Sequence, residues 1–364
     1  MRVKPSQLIP GCILLQEVKG KSNKPLVPKN TVLEEKHITF LGKFLISSVE
    51  VSSKLADGKV FQPKEIIEGV SVNREHKKEK QHENLSFKNH YDNAVHMYKK
   101  EFEKWQNGMP VDMAVLRKHI LPLLERINEI EEEVYLLHRY SKRKDYFYYH
   151  SVALGVLSAY LGKKMGFKKG EWLQIGIAGL LSDSGMAKLD PAILLKEHPL
   201  TMDELNEIKK HPAYAYRLVE NTPTITQGVK IAVLQHHERL DGSGYPLGLR
   251  KGRIHRFARI IALCDMYNQM TSEHSCKEKK SPYKAIEALQ KEKYTKLDPE
   301  VVNAFIDSLV RFSIGTKVKL SNQFTGEIVF IDHDEPARPI VRLQDGQILS
   351  LQQEQSIFIE EVIG

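Results

Sequence analysis

Apolar side chains recur at spacings of three and four through the middle of the chain and switch to alternation near its C-terminus, which predicts a helical body followed by strands. Met113, Leu116, Ile120, Leu124, Ile127 and Ile130 form one helical stripe. Val152, Val156, Tyr160 and Met165 form part of the next, with Gly162, Gly166 and Gly170 punctuating its end. Further helices are expected over 171–181, 201–219, 226–237, 256–271, 282–290 and 299–312. After Ser313 the period becomes two: Val318 and Leu320, then GEIVFID, PIVRLQ, QILSLQ and SIFIEEV, with Asp345-Gly346 suited to a hairpin turn. This tail reads as a small all-β, barrel-like or curled domain, either a cap on the helices or a ligand-binding module. Ahead of the helices, β-like runs at 12–18 and 45–51 flank a short helical stretch in EEKHITFLGKF, a small mixed α/β unit of accessory or sensory kind. The charged stretch VNREHKKEKQHENLSFK is a linker or a solvated helix, and His76 and His82 within it have no apolar face to orient them and read as solvent histidines. The expected organisation is therefore multidomain: an N-terminal unit over 1–65, a linker over 66–95, an all-α bundle over 96–312 and a β domain over 313–364.

A length of 364 residues supports that division, since a single small core does not extend so far. No run of 18 apolar residues occurs and the start, MRVKPSQLIPG, has no signal-like apolar segment, so no membrane span and a cytoplasmic location are expected. Three widely spaced cysteines, Cys12, Cys264 and Cys276, argue against a disulfide framework or a cysteine-based zinc site, and Cys264 in ARIIALCDMY reads as a small core residue. The net charge of +8 favours phosphate-bearing partners, but the basic residues are scattered among acids. That distribution argues against polymeric nucleic acid and is compatible with a small phosphate-bearing ligand.

The densest chemistry lies in QHHERLDGSGYP, from Gln235 to Pro246. Adjacent imidazoles before a glycine turn suit a divalent metal at a helix end. They equally suit an ordinary helix C-terminus, where His favours the dipole and Gly ends the helix. Other potential ligands stand at or near expected helix ends in the order His150, Asp183, His211, His236, His237 and Asp265. Helices that each offer one or two such groups to a shared interior can build a binuclear metal site.

With those residues in place, 145–312 resembles the HD-GYP domain, a bacterial branch of the HD phosphohydrolase superfamily associated with hydrolysis of cyclic di-GMP. The resemblance is carried by HHERLDGSGYPLGLRKGRI and RFARIIALCDMYNQMTS. It implies an HD-type bundle with up to two divalent ions, iron, manganese or zinc, held by His150, Asp183, His211, His236, His237 and Asp265, with Asp183 bridging. It also places Tyr245 at a substrate pocket and implies cyclic di-GMP or a related nucleotide as ligand. A signalling partner protein or a homodimer is compatible with that role.

Where the resemblance expects an HDxGK motif, the chain reads Ser182-Asp183-Ser184-Gly185-Met186. Serine is a poor ligand beside imidazole, and Met186 offers no cation to a substrate phosphate. Lys188 is offset by two positions, which points it elsewhere. Following Thr271-Ser272, where the family usually reads Asp-Arg-Pro-Tyr-Arg or Lys, the chain has Glu273-His274-Ser275-Cys276-Lys277, leaving Lys277 as a phosphate contact or as part of a solvated loop. Tyr146 stands where some members place a Glu for a third metal, so a trinuclear site is not expected. The reading is an HD-GYP-type protein with impaired or absent hydrolysis, in which one metal position lacks a nitrogen ligand and the ions, up to two, are open to loss. The alternative is an active phosphodiesterase with an incomplete binuclear site, water or Ser182 filling the open position. A metal-free core that keeps the six groups only as hydrogen-bonding residues is the third reading.

Overall fold

The computed structural model describes residues 1–3, 5–19, 25–43, 48–63, 86–130, 134–194, 196, 199–273, 279–309, 313–332 and 335–363. The chain divides into two compact units, residues 1–83 and 84–364. His76, His82, His274, Cys276 and Lys277 lie outside the described residues, as does most of the expected linker.

In the first unit, β1 (Arg2–Val3) pairs antiparallel with β4 (Val49–Glu50), and β2 (Val18–Lys19) with β3 (Pro25–Val27). Residues 12–15 run between two neighbours, Leu33 N donating to Cys12 O at 2.7 Å and Leu15 N to Glu50 O at 2.8 Å. The run expected over 12–18 is therefore mostly isolated bridges, Ile13 to Val32 and Leu14 to Val51, with only its last residue, Val18, in a strand. Helix α1 (Glu35–Lys43) follows. Leu8, Cys12, Leu14, Leu33, Leu41, Val51 and Phe61 form the core, and burial raises the Cys12 thiol pKa.

The second unit is helical through most of its length. Its helices are α2 (Phe87–Gln106), α3 (Met113–Glu125), α4 (Tyr146–Lys164), α5 (Lys169–Ser182), α6 (Pro191–Leu194), α7 (Met202–Ile208), α8 (His211–Val219), α9 (Gln227–Gln235), α10 (Arg256–Thr271), α11 (Pro282–Lys291) and α12 (Pro299–Leu309). Helix α2 starts inside the stretch read as linker: Ser86 caps it by accepting from Asn89 N at 3.3 Å, and Phe87, Tyr91, Tyr98, Phe102 and Trp105 give it a buried face. The single helix expected over 201–219 is two, α7 and α8, since Pro212 cannot supply a mid-helix N–H and instead sits in the first turn of α8. The helix expected over 226–237 ends at Gln235, before the His pair.

Helices α4 and α5 are the centre of the bundle and run antiparallel at close range. A Cβ at Gly179 would sit 2.8 Å from Leu154 O, and one at Gly155 would sit 3.0 Å from Gly176 O. Backbones that near require glycine, and this packing sets His150 on α4 against Asp183 at the end of α5. Cys264 on α10 is a core residue, fully buried, its thiol pushed by burial up to about 12.

The tail forms a five-stranded antiparallel sheet: β5 (Lys317–Leu320), β6 (Thr325–Phe330), β7 (Ile340–Leu343), β8 (Ile348–Ser350) and β9 (Ile359–Ile363), in the order β8-β7-β6-β5-β9. Gly346 takes the positive φ of the β7–β8 turn. Val318, Leu320, Ile328, Val341, Leu343, Leu351 and Ile359 bury one face. Arg338 fastens the sheet to α11: it donates to Glu287 Oε2 at 2.8 Å and also to the carbonyls of Ile357 and Gln355.

Candidate metal centre

Four donors converge where the ends of α5, α8 and α9 meet. Asp183, His211, His236 and His237 are all buried, and each offers an atom within 4.8 Å of the others'. Local chain features deliver each one. Asp183 is the residue that ends α5, and Gly185 lets the following turn lie against α8, since a Cβ there would be 2.0 Å from His211 O. The break before Pro212 places His211 first in α8 with the Ile208 carbonyl beneath it. The end of α9 does the same for His236 and the Val233 carbonyl.

Those carbonyls decide the imidazole tautomers. His211 Nδ1 lies 2.7 Å from Ile208 O and His236 Nδ1 lies 2.7 Å from Val233 O. A carbonyl can only accept, so each Nδ1 carries a proton, and the neutral ring then presents Nε2 as an acceptor. The two Nε2 atoms stand 3.1 Å apart, and Asp183 Oδ1 is 3.2 Å from one and 3.6 Å from the other. Three acceptors aimed at one another repel unless a cation lies among them. The donor set therefore fits a divalent transition ion.

His150 and Asp265 adjoin this group. His150 Nε2 is 3.3 Å from Asp183 Oδ2 and 3.1 Å from Asp265 Oδ1, and Asp265 Oδ2 is 3.5 Å from His237 Nδ1. All six residues singled out in the sequence thus share one buried locus, four in the tight group and two beside it. Burial alone would raise the Asp183 carboxyl, but the imidazoles of His150, His211 and His236 around it hold it well below the usual range. Burial opposes charge on His150 too, yet Tyr146 and the bonds to Asp183 and Asp265 place it well above its ordinary value. Burial, reinforced by His236 and His211, keeps His237 well below.

The departures from the HDxGK pattern have plain structural counterparts. Ser182 is buried, its hydroxyl donating to Ala178 O at 2.8 Å in its own helix. Met186 packs on the core. Lys188 Nζ donates to Trp105 O at 2.6 Å, at the end of α2.

The glycine loop is held from below. Buried Glu238 accepts from Leu247 N at 2.7 Å and Leu249 N at 2.8 Å, so it organises the loop rather than facing the donors. Gly244 is obligatory, because a Cβ would stand 2.4 Å from Arg239 N. The loop thereby lays Tyr245 over His237, ring centroids 4.7 Å apart and 26° from parallel. Sequence reasoning passed over Glu238 and also Asn268 and Gln269 on α10, which bond His150 and Asp265 respectively. Their positions three and four residues beyond Asp265 put them on its face of the helix, a signal that could have found them.

Residues 126–301 match the family model of the HD domain. Over 187 residues the chain is 32% identical to the cyclic di-GMP phosphodiesterase PA4108 of Pseudomonas aeruginosa, covering 51% of this chain and 44% of that protein. It is 26% identical over 215 residues to the cyclic di-GMP phosphodiesterase PdeB of Borreliella burgdorferi, covering 58% of this chain and 56% of that protein. It is also 35% identical over 162 residues to a cyclic di-GMP phosphodiesterase of Thermotoga maritima, covering 43% of each. Residues 126–301 thus carry an HD domain, and over that region the chain is similar to proteins named as cyclic di-GMP phosphodiesterases. It spans about half the length of these curated relatives.

Proposed function

We propose that the protein is a cyclic di-GMP signalling protein of HD-GYP type whose site binds divalent metal but hydrolyses the dinucleotide poorly or not at all. The ligands in this reading are Asp183, His211, His236 and His237, with His150 and Asp265 completing a second position, and the metal is iron, manganese or zinc. When bound, such ions act as Lewis acids and lower the pKa of a coordinated water. The chain's own residues do the rest. Asp183 spans both halves of the donor set, and Tyr245, stacked on His237, offers an aromatic face and a hydroxyl at the loop that borders it.

The observation that carries the reading is the orientation of Ser182. Its hydroxyl is committed to Ala178 O, so no side chain at that position reaches toward the ligands, and neither Met186 nor Lys188 supplies a cation nearby. A phosphodiester reaching the site would meet the metal-ligand donors without the imidazole and ammonium that the HDxGK pattern provides. The convergence of six buried donors favours the alternative, an active enzyme with an incomplete shell. Lys277 remains a proposed phosphate contact. Cytoplasmic location and a protein partner are further parts of this proposal; among the described residues no helix is long and apolar enough to cross a membrane.

Metal analysis on the purified protein separates the readings. We expect bound iron, manganese or zinc that is lost in Asp183→Ala, together with little release of linear pGpG or GMP from cyclic di-GMP. Absence of metal from protein prepared with all three ions present would contradict the metal site.

A further inference from the structure

Asn268 lies three residues beyond Asp265 on α10, buried, with its Oδ1 2.6 Å from His150 Nδ1. An amide oxygen has no proton to give, so this bond exists only when Nδ1 carries one. The atom then left facing Asp183 and Asp265 is Nε2. Tyr146 Oη also approaches Nδ1, but at 3.4 Å. His211 and His236 obtain the same arrangement from backbone carbonyls, which helix ends leave available. His150 sits within α4, where carbonyls are engaged in the helix ladder, so a side chain from another helix has to serve.

We infer that Asn268 is a positioning residue that fixes His150 as the Nδ1–H tautomer and presents its Nε2 to a divalent ion beside Asp183 and Asp265. The inference rests on the metal-site reading above. Asn268 touches none of the reacting atoms; it acts through His150. Aspartate at 268 would accept the same bond, and leucine would not.

The test measures Mn²⁺ binding by titration calorimetry for the full chain, Asn268→Asp and Asn268→Leu, and reads the His150 ring by ¹⁵N NMR in the wild type loaded with Zn²⁺. Mn²⁺ affinity at one position is expected to fall roughly 10- to 100-fold in Asn268→Leu and to be retained in Asn268→Asp, as for other partners that orient a ligating His. The NMR signal is expected to place the His150 proton on Nδ1. Equal Mn²⁺ affinity in a folded Asn268→Leu, or a His150 proton on Nε2, overturns the inference. Should Asn268→Leu fail to fold, the wild-type spectrum and the Asp variant still decide it. A wild type that binds neither ion, yet keeps the His150 Nδ1 proton bonded to Asn268, contradicts the metal-site reading and upholds the orientation of the ring.

Discussion

Gly185 shows how little room the site has at the scale of one residue. A methyl group there would meet His211 O at 2.0 Å and Ala215 N at 2.4 Å, both backbone atoms that cannot swing aside. Gly185→Ala is expected to destabilise the protein by about 1–3 kcal/mol or more, as overpacking does, and to lower metal content by displacing His211 from Asp183. Gly170→Ala, which meets nothing within 4 Å, is expected to leave both unchanged. Thermal unfolding and metal analysis of the two variants test this. The protonation states bring a second expectation. Asp183 is held as a carboxylate and His237 as a neutral ring, both ready to ligate, whereas His150 is held protonated between two carboxylates. Metal uptake near neutral pH should therefore release a proton, and affinity should rise with pH while His150 gives it up. Calorimetry in buffers of different ionisation enthalpy measures this directly; a proton count of zero would contradict it.

Elements position these residues, and here the sequence was legible in part. Helical periodicity marked α5, α10 and α11 closely because apolar residues recur at three- and four-residue spacing along most of each buried face. It missed the break between α7 and α8 because the apolar spacing continues across Lys209 and Lys210, although Pro212 was there to signal it. The six donors were visible as an ordered set, but not the division into four tight and two adjoining groups, since that depends on helix-end carbonyls and on Gly185. Glu238 read as one more acid in the loop, and only its two backbone bonds show its part. At the same scale, the sheet is joined to α11 through the partly buried Arg338–Glu287 pair, whose side chains are 11% and 7% exposed. Arg338→Ala leaves Glu287 with only the Lys284 ammonium 3.3 Å away and is expected to cost about 1.5–3 kcal/mol, measured by urea unfolding. Replacing both residues by apolar ones of similar size should recover much of that loss.

For the molecule as a whole, residues 126–301 match the HD domain and the chain is similar to proteins named as cyclic di-GMP phosphodiesterases. In the proposed reading, two side chains, Ser182 and Met186, separate this chain from a complete HDxGK site, in a locus where Asp183, His211, His236 and His237 converge. Binding and turnover should therefore come apart: metal held, hydrolysis weak. Turnover of cyclic di-GMP by the metal-loaded protein, compared with its Ser182→His, Met186→Lys double variant, tests this most directly. Little linear pGpG is expected from the wild type and a clear gain in the double variant. Robust turnover by the wild type, abolished in Asp183→Ala, would contradict it.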